Sequence, residues 1–336
     1  MKQGRLGMKK NKPLFIRFAV LLAAVMTMVP FFAALTEDEL PSLPIELRRE
    51  DLVDKQKNPY GLVKGYNYKA TFKENPEIYE DPTIRVEFHG NKETERILFE
   101  GSKYYTRYFY AFVTIGHPSQ IRTAPADTSR GFAGNSAKQV KQMAQMFNAV
   151  LAINGDFFNR GGVKEAKYCL RQGVVYRDAV TDYLDMLLID EDGDFHIYKA
   201  GKELAEANKQ EINGKKVINA FQFGPALVID GEPVADEIIS DRGHAPSMSE
   251  PDVVNPRMCI AQIDKLKYFV LATWHGATLP QLRDLVLSIT PCQTLYVLDG
   301  GNSSQMVYLK THVNLNEGQN DRTVSDMIWF ASACQD

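Results

Sequence analysis

The residues best suited to chemistry follow a short apolar run, Leu295–Leu298, at the point where the chain becomes abruptly polar. This segment contains a carboxylate, two glycines and two hydroxyls, namely Asp299, Gly300, Gly301, Ser303 and Ser304. The two glycines permit positive φ and close approach of the backbone to a ligand. Consecutive backbone N–H groups in such a turn form a concave site for an anion. A polar hairpin turn is the alternative explanation of the same composition.

A second segment, Ala149–Phe158, repeats this design, because an apolar run ends in Asn154, Gly155 and Asp156. Loops held by a rigid scaffold are common places for functional groups. Two strands that both end in such groups predict one site assembled between them. Two unrelated tight turns would account for the same residues.

The two motif carboxylates, Asp156 and Asp299, form the best candidate pair for catalysis. Cleavage of a glycosidic bond commonly uses two carboxyl groups, one as acid and one as base or nucleophile. A separation of about 5–5.5 Å predicts retention of configuration, and one of about 6.5–9.5 Å predicts inversion. Either residue would instead be structural if it caps its own turn.

Cationic donors for an anionic substrate are predicted at Arg257, which follows Asn255 and Pro256, and at Arg322. A guanidinium binds phosphate oxygens through two hydrogen bonds in a planar fork. Arg171 is a weaker third candidate, and each arginine has a structural ion pair as its alternative.

His275, beside Trp274, is the one histidine that we single out as a candidate acid or base, with a wall position as the alternative. Phe157 and Phe158 are candidates for stacking on a sugar ring, although core packing competes for them. The chain has no GxSxG elbow, and its histidines form no HxH or HExxH pair. We therefore predict neither a metal site nor a cofactor.

Six segments resemble, in order, motifs of the phosphodiester glycosidase family. They are AINGDFF, FQFGPALVIDGE, NPRMCIAQ, HGATLPQL, LDGGNSSQMVY and DRTVSDMIWF, within roughly residues 100–333. The family is similar to the catalytic domain of the mannose-6-phosphate uncovering enzyme, and many bacterial members carry exopolysaccharide-biosynthesis labels. The resemblance implies a hydrolase acting on a sugar-1-phosphodiester in a cell-surface glycan or its precursor. A non-catalytic glycan-binding factor for exopolysaccharide assembly and a metal-dependent phosphodiesterase remain the alternatives.

The N-terminus is predicted to direct the chain to a membrane. A basic stretch precedes the uncharged run Phe18–Leu35, and acidic residues follow at once. The positive flank predicts that the body of the protein faces outward, as an anchored protein or, if the segment is cleaved, a secreted one. We expect three parts: a basic tail with its anchor or signal peptide at 1–36, a stalk and entry segment at 37–83, and the phosphodiester glycosidase-like domain at 84–336.

The remaining pattern predicts an α+β fold with a mixed or antiparallel sheet and a few packed helices. Strand-like runs predominate, and two hairpins are predicted at Met186–Tyr198 and Met258–Thr273. Helices are predicted from Ser136 to Val150 and, through the capping-box spacing of Thr278 and Gln281, shortly before the Asp299 segment.

A net charge of −3 lacks the basic footprint expected for a nucleic-acid partner. The oligomeric state is not specified by the sequence. The four cysteines contain no CxxC pair, so disulfides and buried thiols both remain open for Cys169, Cys259, Cys292 and Cys334.

Overall fold

The computed structural model describes residues 77–90, 93–133, 136–155, 168–242, 253–314 and 322–332. The predicted membrane segment, Asp156, Phe157, Phe158 and Cys334 lie outside the described residues. The boundaries predicted at 1–36, 37–83 and 84–336 therefore stay predictions. No helix within the described ranges is both long enough and apolar enough to cross a membrane.

The strands in chain order are β1 (Ile78–Asp81), β2 (Ile84–His89), β3 (Arg96–Ile97), β4 (Thr106–Ile115), β5 (Ile121–Pro125), β6 (Leu151–Asn154), β7 (Cys169–Arg171), β8 (Val174–Arg177), β9 (Met186–Asp190), β10 (Phe195–Tyr198), β11 (Glu211–Ile212), β12 (Lys215–Phe221), β13 (Ala226–Ile229), β14 (Glu232–Pro233), β15 (Met258–Asp264), β16 (Lys267–Trp274), β17 (Thr294–Leu298), β18 (Met306–Tyr308), β19 (Thr311–His312) and β20 (Asp326–Phe330). The helices are α1 (Val140–Phe147), α2 (Glu203–Glu206), α3 (Asp236–Arg242) and α4 (Leu279–Ile289), and 3₁₀ turns span Pro118–Gln120, Gly131–Ala133 and Gly301–Ser303.

Within the described residues these strands form three sheets, and all the named strand pairs are antiparallel. The largest sheet has nine strands in the order β1-β2-β4-β16-β15-β17-β13-β14, with β3 paired to β4. A six-stranded sheet follows the order β10-β9-β12-β7-β8, with β11 paired to β12. A five-stranded sheet has the order β19-β18-β6-β20-β5. Mostly antiparallel sheets with few helices confirm the α+β prediction for this part of the chain.

The large sheet is covered on both faces. One face packs on the five-stranded sheet through ring contacts such as Phe88 on Tyr308 and Tyr268 on Phe330, with centroids 5.0 and 5.5 Å apart. The other face packs on α4, whose Leu282 and Val286 are fully buried. Alternation of buried and partly exposed residues along β4 reflects these two unequal faces. Helix α1 covers the far side of the five-stranded sheet.

Local sequence signals located most of these elements. The two predicted hairpins are β9–β10 and β15–β16, and α4 begins with the predicted capping box on Thr278. The helix predicted from Ser136 to Val150 is shorter, since α1 spans Val140–Phe147. Ser136 bonds the carboxylate of Asp127 rather than a helix N-terminus, which removes it as a cap.

Cys259 and Cys292 are buried thiols in the core beneath α4, and Cys169 is buried in β7. Burial raises the pKa of the Cys292 thiol to about 12. Such buried thiols remain protonated and unreactive near neutral pH, because the thiolate is the reactive form.

Candidate active site

The two motif loops predicted to share a site lie against each other, joined by the side chain of Asn154. This residue ends β6 and is fully buried. Its Nδ2 donates to the backbone O of Asp299 at 2.8 Å, and its Oδ1 accepts from the backbone N of Gln305 at 3.1 Å. One amide therefore fixes both ends of the loop after β17, here called the Asp299 loop (residues 299–304). Because buried amides are costly without partners, this arrangement is specified strongly.

Gly155 is required for steric reasons at the next position. A Cβ on Gly155 would lie 2.6 Å from Oδ1 of Asp326, and the Gly155 backbone N donates to the Asp326 O at 3.1 Å. Asp326 begins β20 and is held by Arg171, whose Nε lies 2.9 Å from its Oδ2. The side chain of Asp326 is 3% exposed, and that of Arg171 is 0% exposed. This pair therefore supports the loop from beneath.

Arg171, the weaker candidate for a hydrogen-bond donor to a substrate phosphate, is a core residue whose position does not suit that role. Its NH1 donates to the backbone O of Leu170 at 3.0 Å and also to that of Ala220. Its guanidinium carbon lies 3.8 Å from the centroid of the Phe221 ring. The Arg171 guanidinium therefore points into the protein interior, where it pairs with the buried carboxylate of Asp326.

The segment Asn255-Pro256-Arg257 packs against the start of the Asp299 loop. The backbone N of Gly301 donates to the O of Pro256 at 2.8 Å, and Gly301 has a φ of 58°. A Cβ at Gly300 would lie 2.5 Å from the same carbonyl oxygen. Gly300 is therefore needed for the close approach between two backbones, and Gly301 is favoured by its left-handed conformation. Ser304 adds a further link, since its Oγ donates to the O of Arg257 at 3.1 Å.

The Arg257 side chain is only 2% exposed and holds neighbouring loops together. Its Nε donates to the O of Ala277 at 2.9 Å, and its NH2 donates to the O of Val253 at 2.6 Å. Burial lowers the pKa of Arg257 to about 10, which still leaves the guanidinium charged near neutral pH. The positive charge of Arg257 is thus buried beside the Asp299 loop, and two of its N–H donors bond backbone carbonyls.

Asp299 and Ser303 are two further polar residues of the loop that are buried. Asp299 is 7% exposed. The Ser303 Oγ is buried and has no hydrogen-bond partner among the described residues. Buried hydroxyls normally have partners, so the unsatisfied one in this glycine-containing loop keeps Ser303 a candidate for ligand contact.

Asn255 and His275 lie on one side of this arrangement. Asn255 pairs with Ala277, and a Cβ at Gly276 would lie 2.4 Å from the Asn255 carbonyl carbon. His275 is exposed, has a φ of 71°, and stacks on Trp274 with ring centroids 4.9 Å apart. Its strained backbone and outward ring leave it at the rim of the site, where its predicted acid–base role remains untested.

Arg322 contributes through its backbone, because its carbonyl O accepts from Nε2 of Gln305 at 2.5 Å. Gln305 also accepts from the backbone N of Val140 at 3.0 Å, which connects the site to α1. Gln305 and Asp326 were missed from the sequence. The only signal for Asp326 was an acidic residue at the start of an otherwise apolar strand.

The described residues contain no group of three or more His, Cys, Asp or Glu side chains positioned to hold a metal ion. Asp156 is not described, so the separation of the predicted carboxylate pair stays open. The structure therefore brings together Asn154, Gly155, Asn255, Arg257 and the Asp299 loop at one end of the sheets.

The protein thus has an antiparallel β fold with an Asp-Gly-Gly loop braced by a neighbouring Asn-Gly loop. Comparison with known proteins identifies the class to which it belongs. The family model for phosphodiester glycosidases matches residues 147–331, more than half of the chain. The chain belongs to the phosphodiester glycosidase family.

The chain is also similar to two known proteins, one in fold and one in sequence. The catalytic domain of zebrafish N-acetylglucosamine-1-phosphodiester alpha-N-acetylglucosaminidase, auto-inhibited by its pro-peptide, has a similar fold, with a TM-score of 0.56 and 14% identity over 80% of this chain and 87% of that one. The SPbeta prophage-derived uncharacterized protein YomE of Bacillus subtilis (strain 168) is 23% identical over 258 residues, which is 74% of this chain. The match spans 37% of the length of YomE.

Proposed function

We propose that this protein is a hydrolase that cleaves the glycosidic bond of a sugar-1-phosphodiester in a cell-surface glycan or its precursor. The observation that supports the proposal is the link made by Asn154, whose side chain joins the end of β6 to the Asp299 loop. Family membership supports the reaction class, and the zebrafish relative acts on an N-acetylglucosamine-1-phosphodiester according to its name.

In the proposed reaction, water supplies the oxygen that ends on the anomeric carbon. The bond between this carbon and the bridging oxygen breaks, and the phosphate monoester leaves with that oxygen. Asp299 acts as one of the two carboxyl groups that such a reaction uses, and Asp156 is the proposed second. The Arg257 charge, the Ser303 hydroxyl and the backbone of Gly300 and Gly301 favour the negative charge on the leaving phosphate.

The direct test is to incubate the full-length protein with a panel of sugar-1-phosphodiesters and to measure released sugar. The reaction is repeated in heavy-oxygen water, with Asp299→Asn as the control for contaminating activity. Label in the sugar supports the proposal, whereas label in the phosphate would indicate a phosphodiesterase. Binding of the panel without turnover would favour a glycan-binding factor.

We also propose that the N-terminal segment anchors the protein in a membrane with its body outside. This rests on the basic flank and on the apolar run Phe18–Leu35. Protease added to intact cells should digest the body and spare the first segment. Protection of the whole chain until the cells are lysed would contradict this topology.

A further inference from the structure

A cleft of about 650 Å³ opens at the edge of the large sheet, where β2 ends and β3 takes its place beside β4. Small-molecule sites typically have volumes of about 300–1,000 Å³. The lining residues that matter here combine two aromatic rings with donors and acceptors, namely Phe88, Phe109, Glu95, Arg107, Thr311 and His312. No sequence motif pointed to this region.

Arg107 is the central cation of this cleft. Its guanidinium carbon lies 5.0 Å from the Phe109 ring centroid and 4.6 Å from that of Trp274. The buried Nε of Arg107 donates no hydrogen bond to any described residue. Two aromatic rings thus hold the guanidinium in a fixed orientation while part of its donor capacity is unused. Because the Nε is inaccessible, a ligand would meet the part of the Arg107 side chain that lines the cleft.

Acceptors lie in the same cleft. Glu95 is 8% exposed, and its Oε2 accepts from the Thr94 hydroxyl at 2.6 Å. A carboxylate has about four lone-pair sites, so one such bond leaves capacity for ligand donors. Glu77 also lines the cleft, which places two acidic residues against one arginine. This balance disfavours a polyanionic ligand such as a nucleotide.

A neutral sugar fits this combination of groups. Each sugar hydroxyl both donates and accepts, so it can use an arginine and a carboxylate at once. The C–H face of a sugar ring packs on aromatic side chains such as Phe88 and Phe109. The cleft therefore has the chemistry of a saccharide site rather than that of a phosphate site.

Two connections join this cleft to the Asp299 loop. Nε2 of His312 lies 2.9 Å from Oδ1 of Asn314, and Nδ2 of Asn314 donates to the O of Ser304 at 2.9 Å. On the other side, Trp274, which contacts Arg107, lies two residues before Gly276. The carbonyl of Gly276 accepts from the Thr106 hydroxyl at 2.7 Å. Gly276 in turn packs on Asn255. The cleft thus borders the candidate active site.

We propose that this cleft, the Arg107 cleft, binds the neutral sugar that lies across the phosphodiester from the scissile bond. The proposal rests on the proposed function, because it assigns the second half of the same substrate. Arg107 and Glu95 would hold its hydroxyls, while the phosphate lies at the Asp299 loop. Neither residue takes part in bond cleavage, so the cleft determines which aglycones are accepted.

The test compares two diesters of N-acetylglucosamine-1-phosphate, one with the 6-hydroxyl of a methyl hexoside and one with methanol. The hexoside series covers glucose, mannose and galactose. Using full-length protein, Arg107→Lys should raise KM for the accepted hexoside diester about tenfold and change KM for the methanol diester less than twofold. Glu95→Gln should act in the same direction and provides a second variant if Arg107→Lys folds poorly. Arg85→Lys, in an exposed ion pair on β2, is the matched control and should change neither value.

Equal losses on both diesters, or no loss on either, would overturn the saccharide assignment while leaving the proposed hydrolysis intact. If the wild-type protein hydrolyses neither these diesters nor any other sugar-1-phosphodiester of the panel, the proposed function fails, and the cleft is tested by titrating the methyl hexosides against wild-type and Arg107→Lys protein by NMR. Binding that Arg107→Lys weakens would retain the saccharide site, and no binding to the wild type would reject it.

Discussion

Arg171 and Arg257, both considered as cationic donors from the sequence, lie in two neighbouring regions that have different structural environments. Arg171 forms a buried ion pair with Asp326 and belongs to the support beneath Gly155. Arg257 donates to the backbone carbonyls of Ala277 and Val253 beside the Asp299 loop. The partner of each guanidinium, rather than its burial, therefore separates them, since both are almost inaccessible to solvent.

The environments of Arg171 and Arg257 show how a polar site is built over a nonpolar core. The Arg171–Asp326 pair is buried in the core, where it braces the Asn154–Gly155 loop. The Arg257 guanidinium is buried beside the Asp299 loop, where it also bonds backbone carbonyls. The first region therefore supports the geometry of the site, and we propose that the second contributes the positive charge that an anionic substrate would meet.

The largest expected effect comes from breaking the buried pair. Asp326→Asn leaves the Arg171 charge without its carboxylate in the core, which should lower the free energy of unfolding by about 3–5 kcal/mol. Urea unfolding of the purified full-length protein measures this. The double variant Arg171→Met with Asp326→Leu should recover much of the loss, because buried ion pairs are often replaceable by apolar residues. A loss below about 1 kcal/mol in the single variant would show that the pair is not a structural support.

Removing the charge of the Asp299 loop should affect turnover rather than folding. Asp299→Asn keeps the shape of the side chain and should lower kcat by at least about 100-fold, or about 2.7 kcal/mol in activation free energy. The melting temperature should change little. Asp156→Asn should also impair turnover. Near-normal kcat in Asp299→Asn would exclude it as a catalytic carboxyl group.

Arg257→Lys tests the second half of the comparison. Lysine keeps the charge but loses the planar fork, so substrate binding should weaken by about 1–3 kcal/mol. The two bonds to Ala277 and Val253 will also be weakened, so the variant must be compared with the wild type in both KM and urea stability. A stability loss with unchanged KM would make Arg257 a second structural arginine, like Arg171.

The smallest expected effect is at the start of α4, which follows the Ala277 carbonyl used by Arg257. Thr278→Ala removes the cap that accepts from the backbone N of Gln281 at 3.3 Å and should cost about 1 kcal/mol of stability. Its kcat should be close to that of the wild type. This variant therefore controls for modest destabilisation in the Asp299→Asn and Arg257→Lys measurements. A large fall in its kcat would show that the helix start positions the site directly.

Several features could be predicted because their causes are local. The Thr278 capping box, the hairpin around Gly193 and the glycines after Asp299 each depend on residues a few positions apart. The end of α1 was misplaced because Asn148 takes a left-handed conformation that stops the helix, a choice which composition alone does not require. The predicted proximity of the two motif loops followed from their shared design, and the Asn154 bonds give it a physical basis.

The sequence by itself therefore determined the α+β class, the Asp299 loop and the chemical groups that this loop carries, because backbone preferences and short-range hydrogen bonds act between near neighbours. Only the tertiary structure decided which arginines face the core and which lie near the site. Arg171 meets Asp326 across a separation of 155 residues, and the Arg107 cleft combines groups from β2, β4 and β19. Such pairings depend on how the sheets pack, because the free energy of a buried charge is set by the partner that packing brings to it.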